Sequence, residues 1–540
     1  MSVSIPPLAS VISEDQIGFA AEVIDSSGVA DELEALIARP TGRPRGLPLR
    51  ALLVALLLLA TLDRPLHLKA ATKLLYRDLP AHWRDQLGVV GRAETRKSFL
   101  ARYRCVRYLF HSALQVIDPS LEAKNAILTA EAAAKRRKAL SRAEVEKRRE
   151  RLAAVLERLL DASVAICTDD ELAGFTGSVG LDATPVPLYS RGPSRAAGTT
   201  ASDPDGGWYV REGDHRQATG PTGKTYRKVA WALDATIVVS GRGPGSLPRH
   251  PNLVLGLSLA KPGEDPGGKG VALLASLRRR GYPAGYLGAD RGYTQCLPEH
   301  FALPVAALGY RVVMDYKAAD LGLQASSQGA VLVDGAFYCP AMPRGLVEAS
   351  AEQRAGKIDD KTLKARIEAR VPWRLTRHQG PDEDGYERYS CPALGDRPRL
   401  CCPLRDEDKA IGESPQRRST RERSAPRARS RSPPTSAARF RQELAFGGEP
   451  WHDTYASYRN TIEGLNGFLK DTAHESLASP DRRRVRGIAA QSVFAGLLLV
   501  AANIRKIAAF RQMRADGIGA EVAARARRRR VSLKDFRPKT

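Results

Sequence analysis

SVGLDATPV (Ser178–Val186) is where the chain changes character. Valine, leucine, threonine and valine fall at strand-like spacing, while the stretches before it, 1–125 and Glu131–Leu160, read as helical. Lys228–Val239 (KVAWALDATIVV) and Asn252–Leu259 (NLVLGLSL) are two further strands. The pattern then alternates. Val271–Arg280 is predicted helical and stops at Gly281, which tolerates the positive φ of a helix end. Ala284–Asp290 is a short strand, Thr294–Leu308 a helix, and Arg311–Asp315 a strand. Strands in a meander followed by strands alternating with helices predict an α/β fold, a mixed sheet flanked by helices.

Outward from this core, residues 1–125 read as a helical N-terminal domain. The apolar run Ala51–Leu62 is a buried helix broken by Asp63-Arg64-Pro65. His67–Tyr76 is amphipathic, and Ala81–Leu87 follows the break at Asp78-Leu79-Pro80. Short helices with tight turns, preceded by Arg39, Arg43, Arg45 and Arg50, fit either a helix-turn-helix DNA reader or a plain bundle with a basic edge. Glu131–Leu160 reads as one long helix within a basic connector, 126–165. The core's first part then spans 166–320.

Residues 321–440 are expected to form an insertion, poor in strands up to residue 406. It ends in the Arg/Ser/Pro-rich stretch Glu413–Ala437, which cannot bury enough apolar surface to fold alone. Helices return in 441–515, and 516–540 is a basic tail.

Composition narrows the function classes. Among 540 residues, 84 Lys and Arg against 60 Asp and Glu give a formal charge of +24, which favours a polyanionic partner, nucleic acid being the commonest. Seven cysteines are too few for a disulfide scaffold. Ala51–Leu62 is shorter than the ~20 residues a bilayer needs, and Val493–Ala502 is cut short by Asn503, Arg505 and Lys506. With no secretory pattern at the start, a soluble cytoplasmic protein is expected. GRGPGS (Gly241–Ser246) precedes a proline rather than a helix and is not a phosphate loop.

Three acids stand apart. Asp182 sits inside an apolar strand, where a carboxylate is costly unless paired or metal-bound. Asp290, in GADRGY, ends a strand at a turn that faces a crevice. Glu463 lies on a helix, and the spacing of Arg459, Glu463, Asn466, Gly467 and Lys470 puts them on one side, with Ile462, Leu465 and Leu469 on another. Alone, this is a surface helix with an i,i+4 ion pair. With Asp182 and Asp290, it becomes the third corner of a carboxylate site. Converging carboxylates repel one another and suit divalent cations. All-oxygen donors favour Mg²⁺, with Mn²⁺ as a substitute, over zinc. Asp234, in a second LDAT block, is the rival for the first acid.

These blocks resemble the DDE transposases of bacterial insertion sequences. The likeness is strongest in LDATPVPLYSRG around Asp182, GYLGADRGYT around Asp290 and YRNTIEGLNGFLKD around Glu463. One group of that family carries Tyr, two residues, Arg, three residues, Glu, six residues, Lys in its third block. Arg459, Glu463 and Lys470 match; the tyrosine position is Ala456, with Tyr455 and Tyr458 on either side. The resemblance implies a ribonuclease H-like core and an insertion before the Glu-bearing helix, where 173 residues separate Asp290 from Glu463.

As catalytic and metal-binding residues the resemblance implies Asp182, Asp290 and Glu463. Arg459 and Lys470 engage phosphates, and Arg291, Tyr458 and Asn466 are further DNA-binding candidates. The implied activity is Mg²⁺-dependent cleavage and strand transfer on double-stranded DNA, at element ends and target, by a homodimer or higher assembly. The alternatives are a decayed, DNA-binding derivative and a nuclease that only hydrolyses. Cys339, Cys391, Cys401 and Cys402 lack a C-x₂-C pair and read as buried thiols rather than a zinc site.

Overall fold

The computed structural model describes residues 4–7, 12–38, 45–120, 124–138, 141–193, 198–212, 227–242, 248–327, 329–380, 387–393, 398–400, 429–432 and 438–517. The basic tail, Asp214, His215, Arg39, Arg43, Cys401, Cys402 and most of Glu413–Ala437 lie outside them.

The sheet is mixed and flanked by helices, as the sequence predicts. β1 (Val179–Pro187) pairs antiparallel with the long β3 (Arg227–Ser240). β2 (Gly207–Glu212) runs along the first half of β3 and β4 (Val254–Ala260) along the second, both antiparallel. On its other edge β1 takes β5 (Tyr286–Ala289) in parallel, and β5 takes β6 (Arg311–Val313), also parallel. Between β4 and β5 runs helix α10 (Pro266–Arg279), and Gly281 follows it at φ 88°.

Upstream lie α1 (Glu14–Ser27), α2 (Val29–Ile37), α3 (Leu49–Thr61), α4 (Leu68–Lys73), α5 (Ala81–Gln86) and α6 (Arg96–Gln115). α3 is buried almost all round. The stretch read as one connecting helix is two, α7 (Ala130–Lys138) and α8 (Arg142–Val164). Ser141 caps the second by accepting a hydrogen bond from the Glu144 amide. Nor is α8 only a connector, because Leu152, Val155, Leu156, Leu159 and Leu160 are buried in the core. Thr294–Leu308 is likewise not one helix. Leu297-Pro298 interrupts it, leaving two 3₁₀ turns and a short α11 (Ala302–Ala307).

The region read as strand-poor carries five short strands. β7 (Leu323–Ser327), β8 (Ala330–Val333) and β9 (Ala336–Tyr338) form one meander. β10 (Thr376–Gln379) and β11 (Glu387–Ser390) pair beside β12 (Arg429–Ser432) in a second small sheet. Three helices, α12 (Arg344–Val347), α13 (Ala349–Arg354) and α14 (Asp360–Ala369), lie between the two sheets in sequence.

Two long helices complete the fold, α15 (Glu449–Lys470) and α16 (Ile488–Ala515). α16 does not stop at Asn503. That side chain, fully buried, accepts from the Val254 amide at 2.7 Å and donates to the Val254 carbonyl at 2.9 Å and to Ser163 Oγ at 2.8 Å. It thereby ties the helix to the β4 edge. By length and composition α16 is the one described helix able to cross a membrane, but 78% of its most apolar window is buried. It packs against α8, α3 and β4 as a core helix. One hydrophobic core runs from α1 and α3 through α8 and α16 into the sheet.

Candidate active site

The register brings the first two acids together. β1 and β5 align in parallel with Gly180 opposite Gly288 and Leu181 opposite Ala289. One residue further, Asp182 and Asp290 come side by side on the same face. That face carries α15. A Cβ built on Gly180 would meet Ile462 at 3.3 Å, and one on Gly288 would meet the Tyr458 Cβ at only 2.4 Å. The two glycines let the helix lie almost on the backbone, which brings Glu463 over the strand ends.

Asp234 does not share the groove with Asp182 and Asp290. Pro185, not Asp182, is its cross-strand partner, so the two aspartates leave opposite faces of the sheet. Asp234 lies toward α10, where Lys269 offsets part of the upward push that burial gives its pKa.

Beyond Leu181 β5 leaves the edge of β1, and a cavity of about 850 Å³ opens there. It is lined by Asp182, Asp290, Arg459, Glu463, Asn466 and Lys470, with Tyr209 and Arg211 on β2 forming a further wall. Asp182 accepts from the Ala183 amide at 2.9 Å and from Asn466 Nδ2 at 2.7 Å. Burial lifts its pKa to about 6; Asp290 adds to the rise, and Lys470 opposes it. Lys470 is itself pushed below the ordinary lysine value by burial, with Asp182 pulling it back up. Asn466 has its Oδ1 buried and unpartnered.

Along the helix, Tyr455, Arg459 and Glu463 form a ladder with four-residue steps. Arg459 Nη1 donates to Tyr455 Oη at 3.1 Å, and Nη2 pairs with Glu463 at 2.7 Å. The same guanidinium lies 4.0 Å from Asp290, so it bridges two of the three acids. Burial works against its charge, but Tyr455, Glu463 and Asp290 outweigh that and hold its pKa above the ordinary value. Among the described residues no group of three His, Cys, Asp or Glu is arranged to hold a metal ion.

No protein-family model matches this chain, and no curated protein is similar to it.

Asp182, Asp290, Glu463, Arg459, Asn466 and Lys470 therefore meet in one groove, as the sequence expects. Two assignments change. Tyr458 is 1% exposed, and its ring faces Gly241 inside the core, so it offers no atom to a nucleic acid. The tyrosine in the groove is Tyr455, stacked on Trp451 with ring centroids 4.8 Å apart. Asn466 is buried and its Nδ2 is committed to Asp182, so that donor is not open to DNA. Arg291 is exposed next to Asp290 and does not line the cavity. Cys339 and Cys391 are half-buried. Sequence reasoning missed Tyr209 and Arg211 because β2 was not seen; in GWYVRE the apolar Trp208 and Val210 alternate with Tyr209 and Arg211, which was the available signal.

Proposed function

We propose that the protein is a DNA transposase built on a ribonuclease H-like core, which cleaves and joins DNA with the help of divalent cations. The observation that carries this reading is the meeting of Asp182 and Asp290 on neighbouring parallel strands under Glu463 of α15. The strand order supports it too. A three-stranded antiparallel meander, β1, β3 and β4, is extended by two strands parallel to β1, with the Glu-bearing helix on one face.

The donor set fits a hard cation. Carboxylates converge on a groove whose present counter-charge is a guanidinium, and a buried amide oxygen there has no partner. Asp182, Asp290 and Glu463 would hold Mg²⁺ or Mn²⁺, which supplies a more acidic attacking hydroxyl and stabilises the leaving oxygen of a phosphodiester. The remaining work falls to the chain's own groups. Asn466 and the Ala183 amide fix the Asp182 carboxylate, each on its own oxygen. Lys470 offers an ammonium to a phosphate flanking the scissile bond. Arg459, released from Glu463 and Asp290, offers a second pair of donors, and Tyr455 limits where it swings.

The test is incubation of the full chain with Mg²⁺ and a labelled duplex drawn from the DNA flanking its own gene, scored for both cleavage and joining. Cleavage and joining that Asp290→Asn abolishes support the reading. Cleavage without joining favours a nuclease that only hydrolyses. Binding without either favours a decayed derivative.

A further inference from the structure

Of the arginines that the sequence offers as the N-terminal DNA contact, the two among the described residues, Arg45 and Arg50, are already engaged. Arg45 pairs with Glu34 at 2.8 Å, and Arg50 takes Asp25 through both Nε and Nη2. Positive charge accumulates elsewhere, between α4 and the start of α6. A cavity of about 550 Å³ there is lined by His67, Lys69, Lys73, Arg77, Arg96 and Phe99. Lys69, Lys73 and Arg77 recur every four residues and are all exposed. A π turn at Leu74–Asp78 carries the helix on far enough to bring Arg77 into the row. Arg77 is held in place, donating to the Ala93 carbonyl at 2.6 Å and stacking over Phe99 at 4.7 Å. From α6, Arg96 and Phe99 line the cavity, and the helix carries Arg96, Lys97, Arg102, Arg104 and Arg107 and not one acid. Within the row, Lys73 has Asp78 at 3.7 Å.

We infer that the cleft between α4 and α6 is a docking surface for the sugar-phosphate backbone of double-stranded DNA, separate from the carboxylate groove. Charge complementarity identifies the occupant. From Lys69 to Arg77 is ~12 Å along a helix, and a duplex presents one phosphate per ~3.4 Å of axis on each strand, so the row spans about three phosphates of one strand. The contacts are to phosphate, so the cleft fixes where the duplex lies and is indifferent to its sequence. The inference deepens the reading above by naming how the DNA is held, and it does not depend on catalysis.

The experiment is fluorescence anisotropy of the full chain with a labelled 40-base-pair duplex in EDTA, across a salt series. The variant combines Lys69→Gln, Lys73→Gln and Arg96→Gln, all exposed, and leaves Arg77 alone because it braces Ala93. A control removes the same charge from the exposed side of α8 with Arg142→Gln, Lys147→Gln and Arg149→Gln. The cleft variant is expected to bind at least about tenfold more weakly at ~0.1 M salt, with the log–log salt slope shallower by ~3, while the control stays near wild type. An unchanged slope in the cleft variant, or an equal loss in the control, overturns the inference. So does preferential binding of single-stranded DNA or RNA through the same three side chains. A protein that binds duplex through the cleft but never cuts it would sink the catalytic reading and leave this one standing.

Discussion

Gly288→Ala tests how the groove is built. The new Cβ would sit 2.4 Å from the Cβ of Tyr458 and 3.1 Å from its Cγ. The closer of the two, the Tyr458 Cβ, is set by backbone, so no change of rotamer relieves that contact. Ordinary contact begins near 3.4 Å, and α15 must therefore retreat by about 1 Å. Overpacking of this kind costs about 1–3 kcal/mol, read as a loss of stability in urea unfolding. The retreat also reaches Glu463, ~7.5 Å further along the same helix, and a displacement of that size lowers a positioned reaction by on the order of a hundredfold. Duplex binding in EDTA should not change. Gly464→Ala is the control on the same helix. Its Cβ meets nothing within 4 Å, so it should stabilise by roughly 0.5–1 kcal/mol and leave cleavage intact. Wild-type stability and cleavage in Gly288→Ala would refute the close-approach argument.

Further expectations follow from individual side chains. Burial raises the Asp182 pKa from 3.8 to about 6, so its ionisation weighs against the folded state fully above about pH 6 and not at all below about pH 4. Asp182→Asn should thus raise the unfolding midpoint of the metal-free protein at about pH 7.5 but not at about pH 4, while abolishing cleavage; an equal shift at both pH values contradicts the burial argument. Asn466→Ala removes the donor at 2.7 Å from Asp182 and should lower turnover of DNA substrate with little effect on its binding. If Asn466→Ala instead weakens binding and spares turnover, the amide touches DNA rather than Asp182. Asn503→Leu strips both the amide and the carbonyl of Val254 of a partner and should cost at least about 2 kcal/mol in urea unfolding, whereas a neutral result would mean that α16 is not pinned to β4 there.

The strands of the main sheet were legible because β1, β3 and β4 are long apolar runs, and the helix faces of α15 followed from its spacing. What escaped had physical reasons. Asn503 cuts the apolar run Val493–Ala502 short, and that it is nonetheless fully buried was hidden, because both hydrogen-bonding groups of Val254 are there to meet it. The break before α8 rests on a capping serine inside a charge pattern that favours helix on both sides. β2 is six residues long, and β7 to β11 are three to five, too short for alternation to stand out. The groove's acids announced themselves as carboxylates in apolar or strand-end contexts. The resemblance already put the first acid at Asp182; that Asp234 leaves the opposite face needed cross-strand register, which one sequence does not contain. The engagement of Arg45 and Arg50 by acids 11 and 25 residues away was equally out of reach.

The central claim is that Asp182, Asp290 and Glu463 act together on DNA, and mobilisation in cells tests it most directly. A selectable marker replaces the gene between its own flanking DNA, and the protein is supplied separately as wild type or Asp290→Asn. The account predicts excision or insertion of the marker with wild type and none with the substitution. Mobilisation that survives Asp290→Asn, or none with wild type while flanking DNA is still bound, contradicts it.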